Sequence, residues 1–291
     1  MKSQIELYGH SGFDVFMYEN GAGQYIVRKK AKRPGQNPRL KRQFFKHKFF
    51  WKMRQPWFFV PEIAGFGTED GLFYYEYRYV EGVTLIHYIE KNRIEPTIRV
   101  FEKLIKILEF FKSSAQPYEK TKMPKAFKES IIEKTGSIIK KHPECAKLCR
   151  QLAIKLNKLS DTAEKTVCHG DLSFDNIIID DRHNIWLIDF LDIFYPHHQL
   201  DIAKLFSDID GKWHEFKYGI ILPKNKLAYI REYLFRQVQR LDPTYPKYHN
   251  LLIALVFLRI LPYVNDERQK TIIMEKAHFF INQRSHAPKN I

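Results

Sequence analysis

The chain has 291 residues, of which 44% are hydrophobic, 15% aromatic and 28% charged, with a formal net charge of +15. These values exclude a disordered or fibrous protein and leave room for one two-lobed fold or two modest domains. Three cysteines, Cys145, Cys149 and Cys168, are too few and too uneven for a disulfide framework, and Cys145 and Cys149 read as ordinary helix residues rather than zinc ligands. Residues 1–20 carry no basic segment leading into an apolar run, and no stretch approaches the ~18 apolar residues of a membrane span. The expected location is therefore the cytoplasm, with no transmembrane segment.

In chain order, Gln4 to Tyr8 reads as a short strand, Gly9 to Gly12 as a tight turn and Phe13 to Tyr18 as a second strand. Asn20-Gly21-Ala22-Gly23 is a hairpin signal leading into a third strand, Gln24 to Lys30. After Pro34, Gly35 and Pro38, apolar spacing at Leu40, Phe44 and Trp51 predicts an amphipathic helix over 39–52, with Phe45 and Phe49 beside the stripe. Two further strands are expected over 58–66 and 71–80, around the turn Thr68-Glu69-Asp70-Gly71. From Glu81 onward helices dominate: 97–111, 127–139 and 145–159, then nearly everything beyond Gln199. The apolar run Leu251 to Leu258 reads as a buried helix. Between them lie two β-like runs, Ile177 to Ile179 and Ile185 to Ile188, joined by a turn at Asp180 to Asn184. A sheet-rich small part followed by a mostly helical large part is an α+β layout, with the boundary near Val80 to Gly82.

The chemistry concentrates around that short hairpin. His169-Gly170-Asp171-Leu172-Ser173-Phe174-Asp175-Asn176 runs into its first strand, and Ile188-Asp189-Phe190 leaves its second. A hairpin brings those two ends together, so two carboxylates and a carboxamide can converge. Such hard oxygen donors suit Mg²⁺, and a carboxylate left unligated can accept a proton from an attacking hydroxyl.

This pattern resembles the aminoglycoside phosphotransferase and choline kinase family, which shares the two-lobed protein-kinase-like fold. The resemblance is specific over His169 to Ala203, where Asp201-Ile202-Ala203 matches the family's Asp-Leu-Ala. It implies a nucleotide-binding N-lobe over 1–80 and a catalytic, acceptor-binding C-lobe over 81–291. It implies a phosphotransferase that moves the γ-phosphate of ATP or GTP, with Mg²⁺, to a hydroxyl of a sugar-like or amino-alcohol acceptor. In its terms Asp171 orients and deprotonates the acceptor, His169 braces the loop, and Asn176 and Asp189 hold the metal. Asp201 braces the catalytic loop from a helix start. Arg28 is the first choice for the basic residue at the end of the third strand that holds the phosphates, with Lys30 on the same face. Ser11 and Gly12 belong to the phosphate-covering turn, and Arg78, Tyr79 and Val80 to the hinge that binds the base. His197 and His198 lie near the expected acceptor mouth.

Departures are informative. Gly170, Leu191 and the short interval between Asp189 and Asp201 argue against a protein kinase. Gln43 stands where the family often has the Glu that pairs with the strand-three Lys, which leaves room for a degenerate kinase fold that only binds. Between Arg28 and Arg54 there are twelve Lys or Arg and no acid. That field suggests peripheral contact with an anionic membrane or an anionic sugar, with nucleic acid less favoured. Beyond Gln199, nine acids against fifteen basic residues lean away from aminoglycosides and toward neutral or acidic sugars, such as those of surface polysaccharides.

Overall fold

The structure is a computed structural model that describes residues 5–7, 12–114, 127–157 and 165–283. The chain forms two compact units, Met1–Lys91 with Phe174–Asp192, and Asn92–Ser173 with Ile193–Ile291. This partition gives the hairpin over 177–187 to the first unit, whereas the sequence boundary near Val80 to Gly82 cuts the chain once.

The first unit is built on an antiparallel sheet of β1 (Ile5–Glu6), β2 (Asp14–Glu19), β3 (Tyr25–Lys30), β4 (Ile63–Glu69) and β5 (Leu72–Arg78), in the order β1-β2-β3-β5-β4. The β2–β3 hairpin closes as the sequence suggests: the Asn20 carboxamide oxygen accepts from the N–H groups of Ala22 and Gln24. At the β4–β5 turn, Asp70 and Gly71 take φ of 52° and 75°, the left-handed pair that a tight hairpin needs. Helix α1 (Asn37–Met53) has Pro38 in its first turn and ends at Arg54 in the left-handed region. Its inward face is Leu40, Gln43, Phe44, His47 and Phe50. Trp51 and Phe49 are only half-buried and Phe45 is exposed. The true stripe is thus rotated from the expected one, because two polar residues, Gln43 and His47, take inward places that a hydrophobicity pattern assigns to solvent. Leu40 and Phe44 pack with Phe13, Ala31, Phe73 and Tyr75 in one core.

A second small sheet joins β6 (Val83–Thr84), β7 (Ile177–Ile179) and β8 (Ile185–Leu187), with helix α2 (Leu85–Lys91) following β6. The strand β6 and helix α2 were not read from sequence. Gly82 is required at this junction, because a Cβ there would meet the Ile179 carbonyl oxygen at 2.6 Å.

His47 is buried, and burial pushes its imidazole pKa down to about 4; Lys29 adds to this, and the Pro61 carbonyl 2.8 Å from Nε2 only partly offsets it. The unfolded chain protonates the same ring near pH 6.5. Between those values the unfolded state binds more protons, so stability falls as pH drops. His47 alone should remove about 2 kcal/mol between pH 7 and pH 5. Urea unfolding of wild type and His47→Leu at the two pH values checks this. The variant should lose less on acidification than wild type does.

The second unit is helical: α3 (Ile94–Ser113), α4 (Phe127–Lys141), α5 (Ala146–Asn157), α6 (His198–Ile209), α7 (Trp213–Tyr218), α8 (Lys224–Leu241), α9 (Tyr245–Leu258) and α10 (Glu267–Asn282). Helix α9 is buried on nearly all sides, from Leu251 through Leu258 without exception. It packs against α6 and α10 and so fixes the floor on which α6 lies. All three cysteines are buried free thiols. Among the described residues no helix is long and apolar enough to cross a membrane.

Candidate functional site

The residues singled out from sequence divide between the two units, and each set is described within its own unit. Ser11 lies outside the described residues, as does most of the Gly9–Gly12 turn. Gly12, at its end, has φ of 73° and a carbonyl that accepts from Gln36 Nε2 at 3.1 Å.

In the first unit, the Ile188 N–H donates to the Asn176 carbonyl at 3.1 Å, and Ile177 pairs with Leu187. Asn176 and Asp189 therefore stand at the same end of the β7–β8 hairpin, as the sequence pattern requires. Asp189 has φ of 60°, a left-handed backbone unusual for Asp, and its side chain is 31% exposed. The next residue, Phe190, is buried and stacks on Phe50 of α1, with ring centroids 4.6 Å apart. Strain at Asp189 is thus held in place by an aromatic anchor one residue later.

The basic residue that meets Asp189 is Lys29, through an ion pair from Nζ to Oδ1. Lys29 is 2% exposed. Neither Arg28 nor Lys30, the two residues chosen from sequence, reaches Asp189. Arg28 Nε donates to Glu76 at 2.7 Å and Lys30 Nζ to Glu69 at 2.6 Å, both on the opposite face of β3. Strand alternation separates them. A run of three basic residues offers a cation to either face, so only the register of the sheet decides which face meets the β8 end. On α1, the Gln43 Oε1 atom is buried and has no hydrogen-bond partner among the described residues. One turn on, His47 rests against Phe190, ring centroids 5.8 Å apart. Helix α1 holds the segment beyond Phe190 by cations instead of an acid: Arg42 Nε donates to Asp192 at 2.6 Å and Lys46 Nζ to the Leu191 carbonyl at 2.6 Å.

The basic stretch is therefore less free than its sequence suggests. Arg28, Lys29, Lys30, Lys32 and Arg42 each pair with an acid drawn from outside the stretch. At the expected hinge, the Arg78 and Tyr79 N–H groups already donate to the carbonyls of Glu62 and Tyr25. Val80 is the expected hinge residue whose N–H takes part in neither bond. All three line an open groove of 1260 Å³, with Tyr25, Phe59 and Trp186.

No cluster of three or more His, Cys, Asp or Glu among the described residues could hold a metal. Asn176 and Asp189 supply one neutral and one anionic oxygen donor. A pair so sparse fits Mg²⁺, which keeps water and takes its remaining ligands from phosphates.

In the second unit, the start of the loop from His169 is pinned by one side chain. Asp201, in the first turn of α6 and fully buried, accepts from the N–H groups of His169 at 2.5 Å and Gly170 at 2.8 Å. Gly170 has φ of 90°, which a side chain would resist. His169 is buried, and its Nδ1 accepts from the Asp171 N–H at 3.3 Å. Asp171 is 24% exposed, and Oδ1 receives Lys204 Nζ of α6 at 2.9 Å. Burial pushes the Asp171 pKa up, but Lys204, by charge and hydrogen bond, with His169 and Arg259, more than offsets it and holds the carboxyl below its usual value. Asp171 is thus an anion at neutral pH. Lys204 carried no signal in the sequence reading, although it follows Asp201-Ile202-Ala203 directly. His197 and His198 are both buried, with His198 Nε2 on Asp242 at 2.8 Å, so they brace the start of α6.

Replacing Asp201 by Ala would strand two buried N–H donors. We expect a loss of about 3 kcal/mol or more in unfolding free energy, read by chemical denaturation. Asp201→Asn, which keeps one acceptor oxygen, should lose less.

A model of the phosphotransferase enzyme family matches residues 6–221. No curated protein matches the sequence. Among solved structures, the GDP and kanamycin complex of APH(2'')-IIIa is similar at 14% identity, covering 96% of this chain and 91% of that one, with a TM-score of 0.64. The aminoglycoside phosphotransferase APH(2'')-Ib with ADP bound gives 13% identity, 97% and 93% coverage and a TM-score of 0.63. A choline kinase from Streptococcus pneumoniae gives 14% identity, 96% and 92% coverage and a TM-score of 0.61. At such identities the similarity is one of fold, and that fold is the α+β protein-kinase-like one.

Proposed function

Because the chain belongs to the phosphotransferase enzyme family, a family of small-molecule kinases, we propose that it transfers the γ-phosphate of ATP or GTP to a hydroxyl of a sugar-like acceptor. The observation that carries this reading is Asp171, an ionised carboxylate on a loop that Asp201 fixes through two backbone N–H groups. In the step proposed, the acceptor hydroxyl gives its proton to Asp171 as its oxygen bonds to the γ-phosphorus. The bond from the γ-phosphorus to the bridging oxygen breaks, and the nucleoside diphosphate leaves. Asn176 and Asp189 would hold Mg²⁺, which when bound neutralises phosphate charge. Lys29 would take the phosphates from the β3 side, moving from Asp189 to a phosphate oxygen. Val80 would offer its N–H to the base. The first unit is the nucleotide half in this reading, and the second carries the general base Asp171 and the acceptor. A role in surface polysaccharide metabolism fits the basic bias beyond Gln199.

Thermal shift with ATP and GTP, with and without Mg²⁺, tests the reading. Wild type should show a Mg²⁺-dependent rise, since a ligand that binds only the folded state stabilises it. Asp189→Ala should lose that rise. No shift with either nucleotide would sink the kinase reading.

A further inference from the structure

Helix α1 contains no acid, and its cations divide into two sets. Arg42 and Lys46 hold Asp192 and the Leu191 carbonyl, and Arg39 lies over the Phe13 ring at 5.0 Å. Lys41, Lys48 and Lys52 meet no carboxylate within ion-pair distance among the described residues. These three and Phe45 stand at 41, 45, 48 and 52. At about 100° per residue they share an arc of about 60° on the helix. That arc is turned from the inward face of Leu40, Gln43, Phe44, His47 and Phe50.

Two rings break the surface beside these lysines. Phe45, 55% exposed, rests on the buried Phe44 ring, with centroids 5.3 Å apart. Phe66 of β4, 57% exposed, rests on the same ring at 4.7 Å. Lys48 Nζ lies 5.6 Å from the Phe66 centroid and 5.7 Å from that of Phe44. A single exposed phenylalanine needs no explanation. Two seated on one ring, in line with three cations, form an apolar point in a basic field. The acids at its border do not cancel that field. Glu69 is held by Lys30 and Arg28, Glu62 by Arg78 and Asp192 by Arg42. Asp70 is exposed in the β4–β5 turn, which Asn37 ties to the start of α1 through the Gly71 carbonyl. It answers one of the three charges.

We propose that this stripe docks the protein on a bilayer containing anionic lipid, with Phe45 and Phe66 entering the headgroup layer and Lys41, Lys48 and Lys52 meeting lipid anions. The three lysines span about 16 Å of helix, so a small anion would meet only part of the row and an extended anionic surface meets all of it. Exposed rings beside lysines suit an interface that is apolar below and charged above. Stacking of a nucleic-acid base is less well served, because Phe66 already carries the Lys48 ammonium and the Phe44 ring. Arg42 and Lys46 lie on a different arc of α1, so a bilayer engages the stripe without displacing their contacts. The proposal does not depend on the kinase reading.

The test floats the full chain with vesicles of phosphatidylcholine alone and of phosphatidylcholine mixed with phosphatidylserine, at matched and then rising salt. Wild type should bind the mixed vesicles and not the neutral ones, and salt should weaken that binding. Lys48→Gln and Lys52→Gln should each weaken it about fivefold, and Phe45→Ser about tenfold. Lys224→Gln, at an exposed lysine of the second unit, measures the effect of net charge alone and should change binding less than about twofold. Melting temperatures on the same samples register any loss of fold. Lys48 and Lys52 carry no ion pair, so their variants keep the test decisive even if Phe45→Ser unfolds. The proposal is overturned if no vesicle is bound, if neutral vesicles bind as tightly as mixed ones, if Lys224→Gln costs as much as Lys52→Gln, or if a folded Phe45→Ser binds as wild type does. A parallel titration with single-stranded oligothymidylate covers the other polyanion. If the stripe variants lose that binding and keep the vesicles, the stripe is a nucleic-acid surface and the membrane assignment falls.

Discussion

Asp171→Asn should lower the rate of phosphoryl transfer by about 10²–10⁴-fold while leaving Mg²⁺-nucleotide binding and the melting temperature nearly unchanged. The size is that expected for removal of a positioned general base. Asn keeps the shape and one acceptor oxygen, but it cannot take the acceptor's proton. Lys204 would keep a neutral hydrogen-bond partner and lose a charged one. The pKa of Asp171 lies below the usual carboxylate value because Lys204, His169 and Arg259 outweigh its burial. Its carboxyl therefore loses its proton with a midpoint below the ordinary Asp value of about 3.9. An acid limb in the kcat/KM profile whose midpoint lies above that pH belongs to another group. Steady-state rates from pH 4.5 to 8 on wild type, with the variant at neutral pH, test both statements. A variant that retains a tenth or more of wild-type kcat would remove Asp171 from the role of base.

Lys29→Met should weaken Mg²⁺-ATP binding about 10–100-fold, the loss expected when a buried, charge-assisted contact to phosphate is removed. Arg28→Met and Lys30→Met should change it less than about threefold, because both side chains are held by Glu76 and Glu69 on the other face of β3. The structural ground is the single face that Lys29 shares with Asp189, against the Glu69 and Glu76 face that holds its two neighbours. Calorimetric titration of the three variants separates the possibilities. If Arg28→Met caused the large loss and Lys29→Met did not, the sheet register would not govern phosphate contact. Fold should survive in Lys29→Met, since the Asp189 carboxylate it leaves behind is 31% exposed and can be hydrated.

The two predictions differ in how far sequence alone leads to them. Asp171 was legible because its neighbours are constrained in sequence: Gly170 in a φ only glycine favours, Asn176 at the strand start, and Asp189 at the strand end. Lys29 was not legible, because hydrophobic alternation cannot place a run of three cations on a strand whose other residues are apolar on both sides. Helix α1 shows the same limit. Its length was read within a few residues, yet its inward face contains Gln43 and His47, which a pattern of apolar residues does not mark.

What the sequence by itself determined is local. The hairpin turns at Asn20 and Gly71, the order of the strands and helices other than β6 and α2, the buried run of α9, and the spacing of His169, Asp171, Asn176 and Asp189 all follow from neighbours a few positions apart. Backbone preference and the hairpin's own geometry act over that range. What only the tertiary structure decided is which distant charges meet. Lys29 meets Asp189 across 160 positions of chain, Asp201 reaches back to His169 and Gly170, and Lys204 falls on Asp171 because α6 lies on the buried α9. A charged side chain bears no mark in the sequence of the partner it will find. The partner is fixed by packing, which sets the faces that turn toward each other.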